Sequence, residues 1–318
     1  MKKLLFVVTA LEHGGAEKVL VDTANLLVNE GKDVFVYTIL KGGANQKRLN
    51  PKIKYRSSFN IKSAFLRKVL LRTLYVLPDW LLHKIIVKNE KFDCEIAFLE
   101  GLPTKIVAGC QHNTNKYAWV HTNLIKNNRS FSVYKSVYDA RKTYNKLDRI
   151  LCVSEIVKKS VQTILSPAVP IQVITNIYNP ANIISLSNVA SNNFFTSSKD
   201  QFKLLSVGRL SLEKGHHRLL KACQQLRSKR IDFELVVIGD GKERARLEEL
   251  VVTLNLNKHV KLFGASSNPY RAMREADLVV CSSYEEGYST VVVEALSIGT
   301  PVLTTECSGM SDIQKISR

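Results

Sequence analysis

The chain has 318 residues, which is enough for two domains of ordinary size, each with its own core. Its composition, with 45% hydrophobic and 23% charged residues, is that of a folded globular protein and excludes a disordered chain. The formal net charge is +18, but no nucleic-acid-binding motif accompanies the excess of lysine and arginine, so nucleic acid is not the expected partner.

In the first half of the chain, short apolar runs alternate with helical patterns. The opening run follows two lysines and passes straight into Glu-His-Gly-Gly, so it predicts a buried strand rather than a signal peptide. Runs that are apolar throughout and separated by helices predict a parallel sheet covered on both faces. The strands predicted in this half are KLLFVVTA, DVFVYTIL, FDCEIAFLE, KYAWVHT, RILCVSE and IQVITN.

Two features of this half fall where predicted strands end. Gly14 and Gly15 lie at the first turn from strand to helix, where glycine lets a phosphate or a sugar approach the backbone amides. His121 ends the strand KYAWVHT. A lone histidine can also form no more than a local hydrogen bond, and the residues alone leave both interpretations open.

The positive charge is concentrated in residues 41–91, which contain thirteen lysines and arginines but only two acidic residues. Apolar residues recur there at helical spacing and predict a basic amphipathic helix. Charges among them exclude an ordinary membrane-spanning helix, because each would cost about 2.5–3.5 kcal/mol at the bilayer centre. The helix could lie on an anionic membrane surface, or it could cover the sheet with a solvated basic rim. The apolar residues are Leu66, Val69, Leu70, Leu74, Leu77, Trp80 and Leu81, and the interrupting cations are Arg67, Lys68, Arg72 and Lys84.

Six cysteines are scattered along the chain, with no C-x-x-C pair and no clustering with histidine. This pattern argues against a zinc site or a disulfide framework and favours a reducing, cytosolic compartment. The cysteines are Cys94, Cys110, Cys152, Cys223, Cys281 and Cys307.

Residues 178–200 are rich in asparagine and serine without clear periodicity and predict a linker or irregular crossover. The alternation of strands and helices then starts again, with helices beginning near Lys214, Lys242, Asn268 and Ser289. The sequence therefore predicts two doubly wound, Rossmann-like parallel-sheet domains, residues 1–177 and 201–318, whose ligand-binding edges face one cleft. The strands predicted for the second domain are FKLLSVGRL, FELVVIGD, VKLFGA, DLVVCSS and PVLTT.

The first strand–helix turn of the second domain carries two cations. Arg209 ends the predicted strand and Lys214 stands just ahead of the helix. The guanidinium and the ammonium are both good partners for a diphosphate, although an ordinary basic loop would look the same. The next turn, IGDGKERARL, contains Gly-x-Gly but lacks the third glycine of a dinucleotide fingerprint.

The segment YEEGYSTVVVEALSIGTPV places two glutamates eight residues apart where a strand gives way to a helix. Ser289 is a candidate N-cap, and Gly287 permits close approach of the backbone to a ligand. Glu286 in the loop and Glu294 about one turn into the helix could accept hydrogen bonds from a nucleotide sugar whose diphosphate lies at the helix N-terminus. By spacing alone, a glutamate pair flanking the start of a helix is common on protein surfaces.

Together these residues resemble the family 4 glycosyltransferases of the GT-B fold. The resemblance covers essentially the whole chain, and the spacing Glu286-x7-Glu294 inside E-G-Y-S-T-x-x-x-E matches the family signature. It is densest in HGGAEKVLVDTANLL, SVGRLSLEKGHHRLLKA, LVVIGDGKERARLEEL and VKLFGASSNPYRAMREADLVVCSSYEEGYSTVVVEALSIGTPVL.

The resemblance implies retaining transfer of a sugar from a UDP- or GDP-sugar. Arg209 and Lys214 would hold the donor diphosphate and stabilise charge on the leaving group. Glu286 would contact the hydroxyls of the donor sugar, Glu294 would bind the ribose, and His121 would lie near the reacting sugar. The other implied donor contacts are Gly14, Gly15, Gly287, Tyr288 and Ser289.

No D-x-D triplet is present, so arginine, lysine and helix amides would supply the positive field, and we expect neither a metal nor a cofactor. The resemblance also implies a further strand and crossing helices after PVLTTECSGMSDI, so the second domain is expected to be incomplete.

The expected function is sugar transfer to a lipid-linked glycan acceptor in the synthesis of surface polysaccharide or lipopolysaccharide. The protein would be cytoplasmic and bound to the anionic inner face of the plasma membrane through residues 41–91. One alternative is a truncated, inactive relative that binds nucleotide sugars. Another is a nucleotide-sugar epimerase of the same fold, which the glutamate pair in its E-G-Y-S setting disfavours.

Overall fold

A computed structural model of the chain describes residues 2–12, 14–126, 131–189, 193–196, 201–307, 309–310 and 313. The chain divides into two compact units, Met1–Tyr178 and Asn179–Arg318. Each unit is a parallel sheet with helices between successive strands, so the predicted fold class is confirmed.

The first unit contains a seven-stranded parallel sheet in the order β3-β2-β1-β4-β5-β6-β7. Its interior strand β1 is apolar and fully buried from Leu5 to Val8, as expected for a strand covered on both faces. The strands are β1 (Lys3–Val8), β2 (Asp33–Leu40), β3 (Lys54–Phe59), β4 (Cys94–Phe98), β5 (Asn115–Val120), β6 (Arg149–Cys152) and β7 (Ile171–Val173). The helices are α1 (Gly15–Asn29), α2 (Ala64–Val76), α3 (Asp79–Val87), α4 (Leu102–Ala108), α5 (Val137–Tyr144) and α6 (Glu155–Leu165).

The second unit contains a five-stranded parallel sheet in the order β10-β9-β8-β11-β12. In both sheets the first strand lies in the interior and the strand order reverses beside it, which is the doubly wound arrangement. The strands are β8 (Phe202–Val207), β9 (Phe233–Ile238), β10 (Val260–Gly264), β11 (Leu278–Cys281) and β12 (Val302–Thr304). The helices are α7 (Pro180–Ser187), α8 (His216–Ser228), α9 (Arg244–Thr253), α10 (Tyr270–Glu275) and α11 (Thr290–Ile298).

Helix α7 corrects the prediction that the asparagine- and serine-rich stretch is irregular. The Asn179 side chain caps the helix by accepting a hydrogen bond from the Asn182 amide at 3.0 Å, and Pro180 occupies its first turn. Ile183 is buried in the core of the second unit with Phe194. Asparagine followed by proline was the available signal for this helix, and the polar composition around it concealed that signal.

Strand β3 lies inside the basic segment and was not predicted. Among the strands of the described residues it pairs only with β2, so one of its edges has no neighbouring strand there. Such an edge tolerates charge. Lys54 pairs with Asp33 at 3.0 Å, and the Arg56 guanidinium stacks 3.8 Å from the centre of the Tyr37 ring. The run KYRSSF is too polar to be recognised as a strand from its pattern.

The predicted single amphipathic helix is wrong in one respect, because it is two helices. Pro78 has extended backbone angles, and the chain breaks there between α2 and α3. Helix α3 buries Leu82 and Ile86 completely and therefore covers the sheet. Of the seven apolar residues that predicted the amphipathic pattern, only Leu74, on α2, is buried. Within the described part of the chain, no helix is long and apolar enough to cross a membrane.

Candidate functional site

The second sheet changes direction between β8 and β11, which are neighbours at its centre. These strands pair in parallel, with Leu278 opposite Leu204 and Val279 opposite Leu205. The loops that follow the carboxyl ends of both strands therefore start side by side. This point of reversal is where open α/β sheets bind ligands, and it carries all the site residues predicted for the second domain.

The loop after β8 presents the two predicted cations. Arg209 is exposed two residues beyond the end of β8, and Lys214 ends a short 3₁₀ turn, Leu212–Lys214. Gly215 then adopts a φ of +64°, and a Cβ atom there would lie 2.2 Å from the Ser282 carbonyl oxygen of the loop after β11. Gly215 is therefore required for the two loops to touch, which places Lys214 beside the glutamate segment.

The Gly-Asp-Gly turn after β9 has a structural purpose. A Cβ atom on Gly239 would lie 1.9 Å from the Gly208 carbonyl oxygen, and one on Gly241 would lie 2.3 Å from that of Leu210. The Leu210 amide also donates to the Asp240 carbonyl oxygen at 3.0 Å. These glycines let the turn pack against the loop after β8, and no dinucleotide fingerprint is needed to explain them.

Arg218 on α8 holds the loop after β11 and was missed by sequence reasoning. Its Nε and terminal nitrogen donate to the carbonyl oxygens of Ser282 and Ser283, each at 2.7 Å. Its guanidinium also stacks on the Tyr284 ring at 4.2 Å, and the Tyr284 hydroxyl bonds to His217 Nε2 at 2.8 Å. The only signal in the sequence was a basic residue in the first turn of a helix, where an acidic one would be usual.

Lys214 and Glu286, predicted to contact different parts of one ligand, form an ion pair with each other. Lys214 Nζ lies 2.6 Å from Glu286 Oε1, which also accepts a hydrogen bond from the Ser283 hydroxyl at 2.7 Å. The Glu286 side chain is 11% exposed and that of Lys214 is 27% exposed. Both groups are thus partly removed from water, and each is the other's charge partner.

Ser289 occupies the N-cap position of α11, as predicted, with a φ of −78° and a ψ of 109°. Its side chain makes no capping hydrogen bond, and its Oγ lies 3.9 Å from Cys281 Sγ instead. The amides of the first turn are therefore not capped by this side chain, and a helix N-terminus of this kind favours an anion. Glu294 is the fifth residue of α11 and is 3% exposed.

Residues 287–289, which connect Glu286 to α11, pack against the chain beyond β12. Tyr288 packs against a small core formed by Cys281, Val292 and Met310 with Ile313. A Cβ atom on Gly309 would lie 2.3 Å from the Gly287 carbonyl oxygen, so the segment rests directly on the chain beyond β12. Tyr288 therefore has a packing role in addition to any contact with a ligand.

In the first unit, the predicted glycines lie at the start of α1. Gly14 is the N-cap residue, and Gly15 is exposed as the first residue of the helix. A Cβ atom on Gly14 would lie 1.8 Å from Glu17 Oε2, so the carboxylate of this helix folds back over its own N-terminus. A ligand phosphate at this end of α1 would have to displace that carboxylate.

His121 is buried just beyond β5, with its ring 4.6 Å from that of Phe98 and 6.0 Å from that of Trp119. Burial lowers the pKa of the imidazole to about 3, so the ring is neutral at physiological pH. In the described part of the chain, His121 Nε2 and Trp119 Nε1 have no hydrogen-bond partner. Buried polar atoms are normally satisfied, so this face of β5 is a candidate for contact with a ligand.

Glu100, in the loop after β4, was not predicted and positions His121. Its Oε1 accepts hydrogen bonds from the backbone amides of His121 at 2.5 Å and Thr122 at 2.7 Å. Burial raises the pKa of this carboxyl above its usual value, while the amide hydrogen bonds act in the opposite direction. Strand β4 lies between β1 and β5, so Glu100 belongs to the same sheet edge as Gly14 and His121.

Comparisons with known proteins give consistent matches. The family models described as "Glycosyltransferase Family 4" and "Glycosyl transferases group 1" match residues 13–182 and 190–315. The chain is 27% identical over 253 residues to an uncharacterized glycosyltransferase of Methanocaldococcus jannaschii, covering 76% of this chain and 60% of that protein. Over 126 residues it is 35% identical to the N-acetylgalactosamine-N,N'-diacetylbacillosaminyl-diphospho-undecaprenol 4-alpha-N-acetylgalactosaminyltransferase of Campylobacter jejuni, covering 39% of this chain and 33% of that protein.

Among solved structures, Anabaena Alr3699/HepE in complex with UDP and glucose matches with a TM-score of 0.70 and 20% identity, covering 98% of this chain and 83% of that one. Two Rossmann-like domains with this likeness define the class as GT-B proteins. The family 4 model matches more than half of the residues, and the chain belongs to Glycosyltransferase Family 4, as the sequence resemblance predicted. It spans 60% and 33% of the two curated relatives, so the activity and substrates of the whole protein are a matter of proposal.

Proposed function

We propose that the protein transfers a sugar from a UDP- or GDP-sugar to a lipid-linked glycan acceptor in the synthesis of surface polysaccharide or lipopolysaccharide, with retention of configuration at the anomeric carbon. The observation that carries the donor half of this proposal is the Lys214–Glu286 ion pair beside the N-terminus of α11. An ammonium suits a diphosphate, a carboxylate suits sugar hydroxyls, and helix amides suit an anion. A nucleotide-diphosphate sugar offers all three partners in one molecule.

When the donor binds, Lys214 and Glu286 exchange their contact with each other for contacts with the donor. The diphosphate takes the Lys214 ammonium, and the sugar hydroxyls donate to the Glu286 carboxylate, whose orientation the Ser283 hydroxyl maintains. As the bond between the anomeric carbon and the phosphate oxygen breaks, negative charge grows on the nucleotide diphosphate. Lys214 and the exposed Arg209 stabilise that charge, which is the largest contribution expected of a preorganised site. Glu294 receives the ribose hydroxyls.

The first unit supplies groups for the reacting sugar in this proposal. The neutral His121 ring offers Nε2, which has no other partner in the described chain, to a sugar hydroxyl. Glu100 fixes the backbone of His121 and acts as a positioning residue. Gly14 and Gly15, at the start of α1, are the phosphate contacts proposed for the first unit. Since the cations and helix amides supply the positive field, the proposed reaction uses no metal and no cofactor.

The acceptor half of the proposal places α2 on an anionic membrane at the inner face of the plasma membrane. Phe65, Val69 and Val76 share one face of α2 and are 73%, 46% and 75% exposed. Lys68 and Arg72 project from the same helix and are exposed. A short helix with exposed apolar residues and flanking cations suits the interface of a bilayer. The Campylobacter jejuni relative is named for a substrate linked to diphospho-undecaprenol, which supports an acceptor of this kind.

Reversing two charges on α2 tests the membrane proposal. Lys68→Glu combined with Arg72→Glu should weaken binding to vesicles that contain anionic lipid by at least about 30-fold, because each cation contributes about 1 kcal/mol near such a surface. Vesicle cosedimentation at low and physiological salt measures the loss. Arg67 is left intact because its Nε donates to the Ile61 carbonyl oxygen at 2.6 Å and its replacement would disturb the fold.

The matched control is Lys221→Glu with Lys229→Glu, two exposed lysines of the second unit that give the same change in net charge. Retained binding by the control and loss by the α2 variant would support a local membrane contact. Equal binding by the α2 variant and the unchanged protein would contradict it.

The donor proposal is tested by thermal unfolding in the presence of UDP or GDP, with EDTA to remove divalent metal. A nucleotide at about 100 times its Kd should add about 2.7 kcal/mol to the free energy of unfolding. A shift with one nucleotide identifies the base and supports a donor site that works without metal. The absence of a shift with either would overturn the donor proposal and favour a relative without a working donor site.

A further inference from the structure

Three buried side chains that can bind metal lie close together at strand β4 of the first sheet. His83 lies on α3, Glu95 lies on β4, and Cys110 follows α4. Their exposed fractions are 3%, 0% and 6%. His83 Nε2 lies 3.0 Å from Glu95 Oε2, and Cys110 Sγ lies 3.3 Å from Glu95 Oε1. One ligand atom from each residue lies within 4.8 Å of the other two.

We propose that His83, Glu95 and Cys110 form a binding site for one divalent metal ion of the zinc type. Imidazole nitrogen, carboxylate oxygen and thiolate sulfur are the ligand atoms that zinc uses in proteins. With ordinary bond lengths to zinc, a tetrahedral site separates nitrogen from oxygen by about 3.4 Å and oxygen from sulfur by about 3.6 Å. Glu95 Oε1 lies 3.2 Å from His83 Nε2 and 3.3 Å from Cys110 Sγ, a few tenths of an ångström less than these values, so the ion enters with small side-chain shifts.

The charges of the three ligands also suit a divalent ion at this position. Bound by a neutral imidazole, a carboxylate and a thiolate, a divalent cation gives a complex with a net charge of zero. Such a complex buries no net charge, which would otherwise be costly in this apolar interior.

One of the three residues borders an open cavity, which gives the cluster a route to solvent. Cys110 lines an open cavity of about 400 Å³ together with Trp80, Gln111 and Lys116. Water from this cavity can complete a tetrahedron at the sulfur side, and the His112 ring lies 6.4 Å from that of His83. Lys116 and Lys146 line the same cavity and disfavour the approach of a free cation, so we expect slow entry of the metal.

A bound ion would join three elements at one point. It would link α3 to the central part of the sheet and to the turn between α4 and β5. Trp80, which is 48% exposed, is the second residue of α3, just after the break from α2. The site would therefore stabilise the base of the segment that carries the exposed apolar face, and its effect would be on stability, independent of nucleotide binding.

Cobalt titration of the reduced, EDTA-treated full chain tests the site, because Co²⁺ reports its ligands by absorption. We expect one Co²⁺ per chain, visible bands of a tetrahedral ion and a charge-transfer band from sulfur to cobalt, all displaced by Zn²⁺. Cys110→Ser should abolish the charge-transfer band and weaken Zn²⁺ binding by at least about 100-fold. Loss of a residue that is hydrogen-bonded to a metal ligand lowers metal affinity by about 10- to 100-fold, and loss of the ligand itself should lower it further. Cys223→Ser, which alters an equally buried cysteine of the second unit, should leave both unchanged.

A second measurement needs no variant and covers the case in which Cys110→Ser does not fold. Mass spectrometry of the alkylated protein should show that Zn²⁺ slows modification of Cys110 but not that of the partly exposed Cys307. A charge-transfer band that persists in Cys110→Ser, or equal alkylation of Cys110 with and without Zn²⁺, would overturn the proposal. The cluster would then be a buried hydrogen-bonded triad.

Discussion

Replacing Lys214 with alanine is expected to abolish both the stabilisation by UDP or GDP and the transfer of sugar. The ammonium is the partly buried cation of the site, and it lies 2.6 Å from the carboxylate that the donor sugar would use. Removal of one preorganised charge that stabilises a leaving group typically lowers kcat by about 100- to 1000-fold. Release of nucleotide from UDP- and GDP-sugars measures turnover, and thermal unfolding with nucleotide measures binding.

The stability of Lys214→Ala needs its own control, because the variant leaves Glu286 without its cation in a site where Glu286 is only 11% exposed. Lys214→Met combined with Glu286→Gln removes both charges at similar volume and should unfold closer to the unchanged protein than Lys214→Ala does. Lys221→Ala, an exposed lysine on α8, is the matched control for activity. A nucleotide-dependent shift of normal size in folded Lys214→Ala would mean that the diphosphate binds elsewhere.

Glu286→Gln is expected to change nucleotide binding and turnover in opposite directions. The amide keeps the shape of the side chain and can still accept from the Ser283 hydroxyl, but it no longer neutralises Lys214. The free ammonium should then bind UDP or GDP at least as tightly as in the unchanged protein. Turnover should fall by at least about 100-fold, because the charge-assisted hydrogen bonds to the sugar hydroxyls are lost in the transition state.

The two readouts separate this role from a merely structural one. A variant that was only destabilised would lose nucleotide binding and turnover together. Glu249→Gln, an exposed carboxylate on α9, controls for the change in net charge and should alter neither. If Glu286→Gln bound nucleotide more weakly in proportion to its loss of turnover, Glu286 would be a ligand of the nucleotide and the assignment to the sugar would be wrong.

The regular elements could be predicted wherever burial leaves a local pattern. The apolar runs of β1, β2 and β9 are buried on both faces, so each read as a strand, and the helix starts near Lys214 and Ser289 followed from turn residues. The exceptions have one cause. Edge strand β3 is partly exposed, and α7 has eight residues with two buried ones, Ile183 and Ser187, so neither shows a clear apolar period.

Some residues of the candidate site could be predicted from the sequence, and others could not. Arg209, Lys214 and Glu286 could be predicted because charged residues that follow apolar strands reach one sheet edge. The residues that orient them could not, since Arg218 acts through backbone carbonyl oxygens 64 and 65 residues away, and Glu100 accepts from amides 21 and 22 residues away. A carbonyl oxygen or an amide carries no signature of its partner in the sequence.

The sequence by itself determined the two parallel-sheet domains, the turns at their carboxyl edges and the family. Only the tertiary structure decided that Lys214 pairs with Glu286 across 72 residues and that Cys110 meets His83, from a distant part of the sequence, at Glu95. Periodicity records which side of an element is buried, and that is local information. Contact between two side chains depends on strand order, on register and on rotamers, all of which exist only when the sheet has formed.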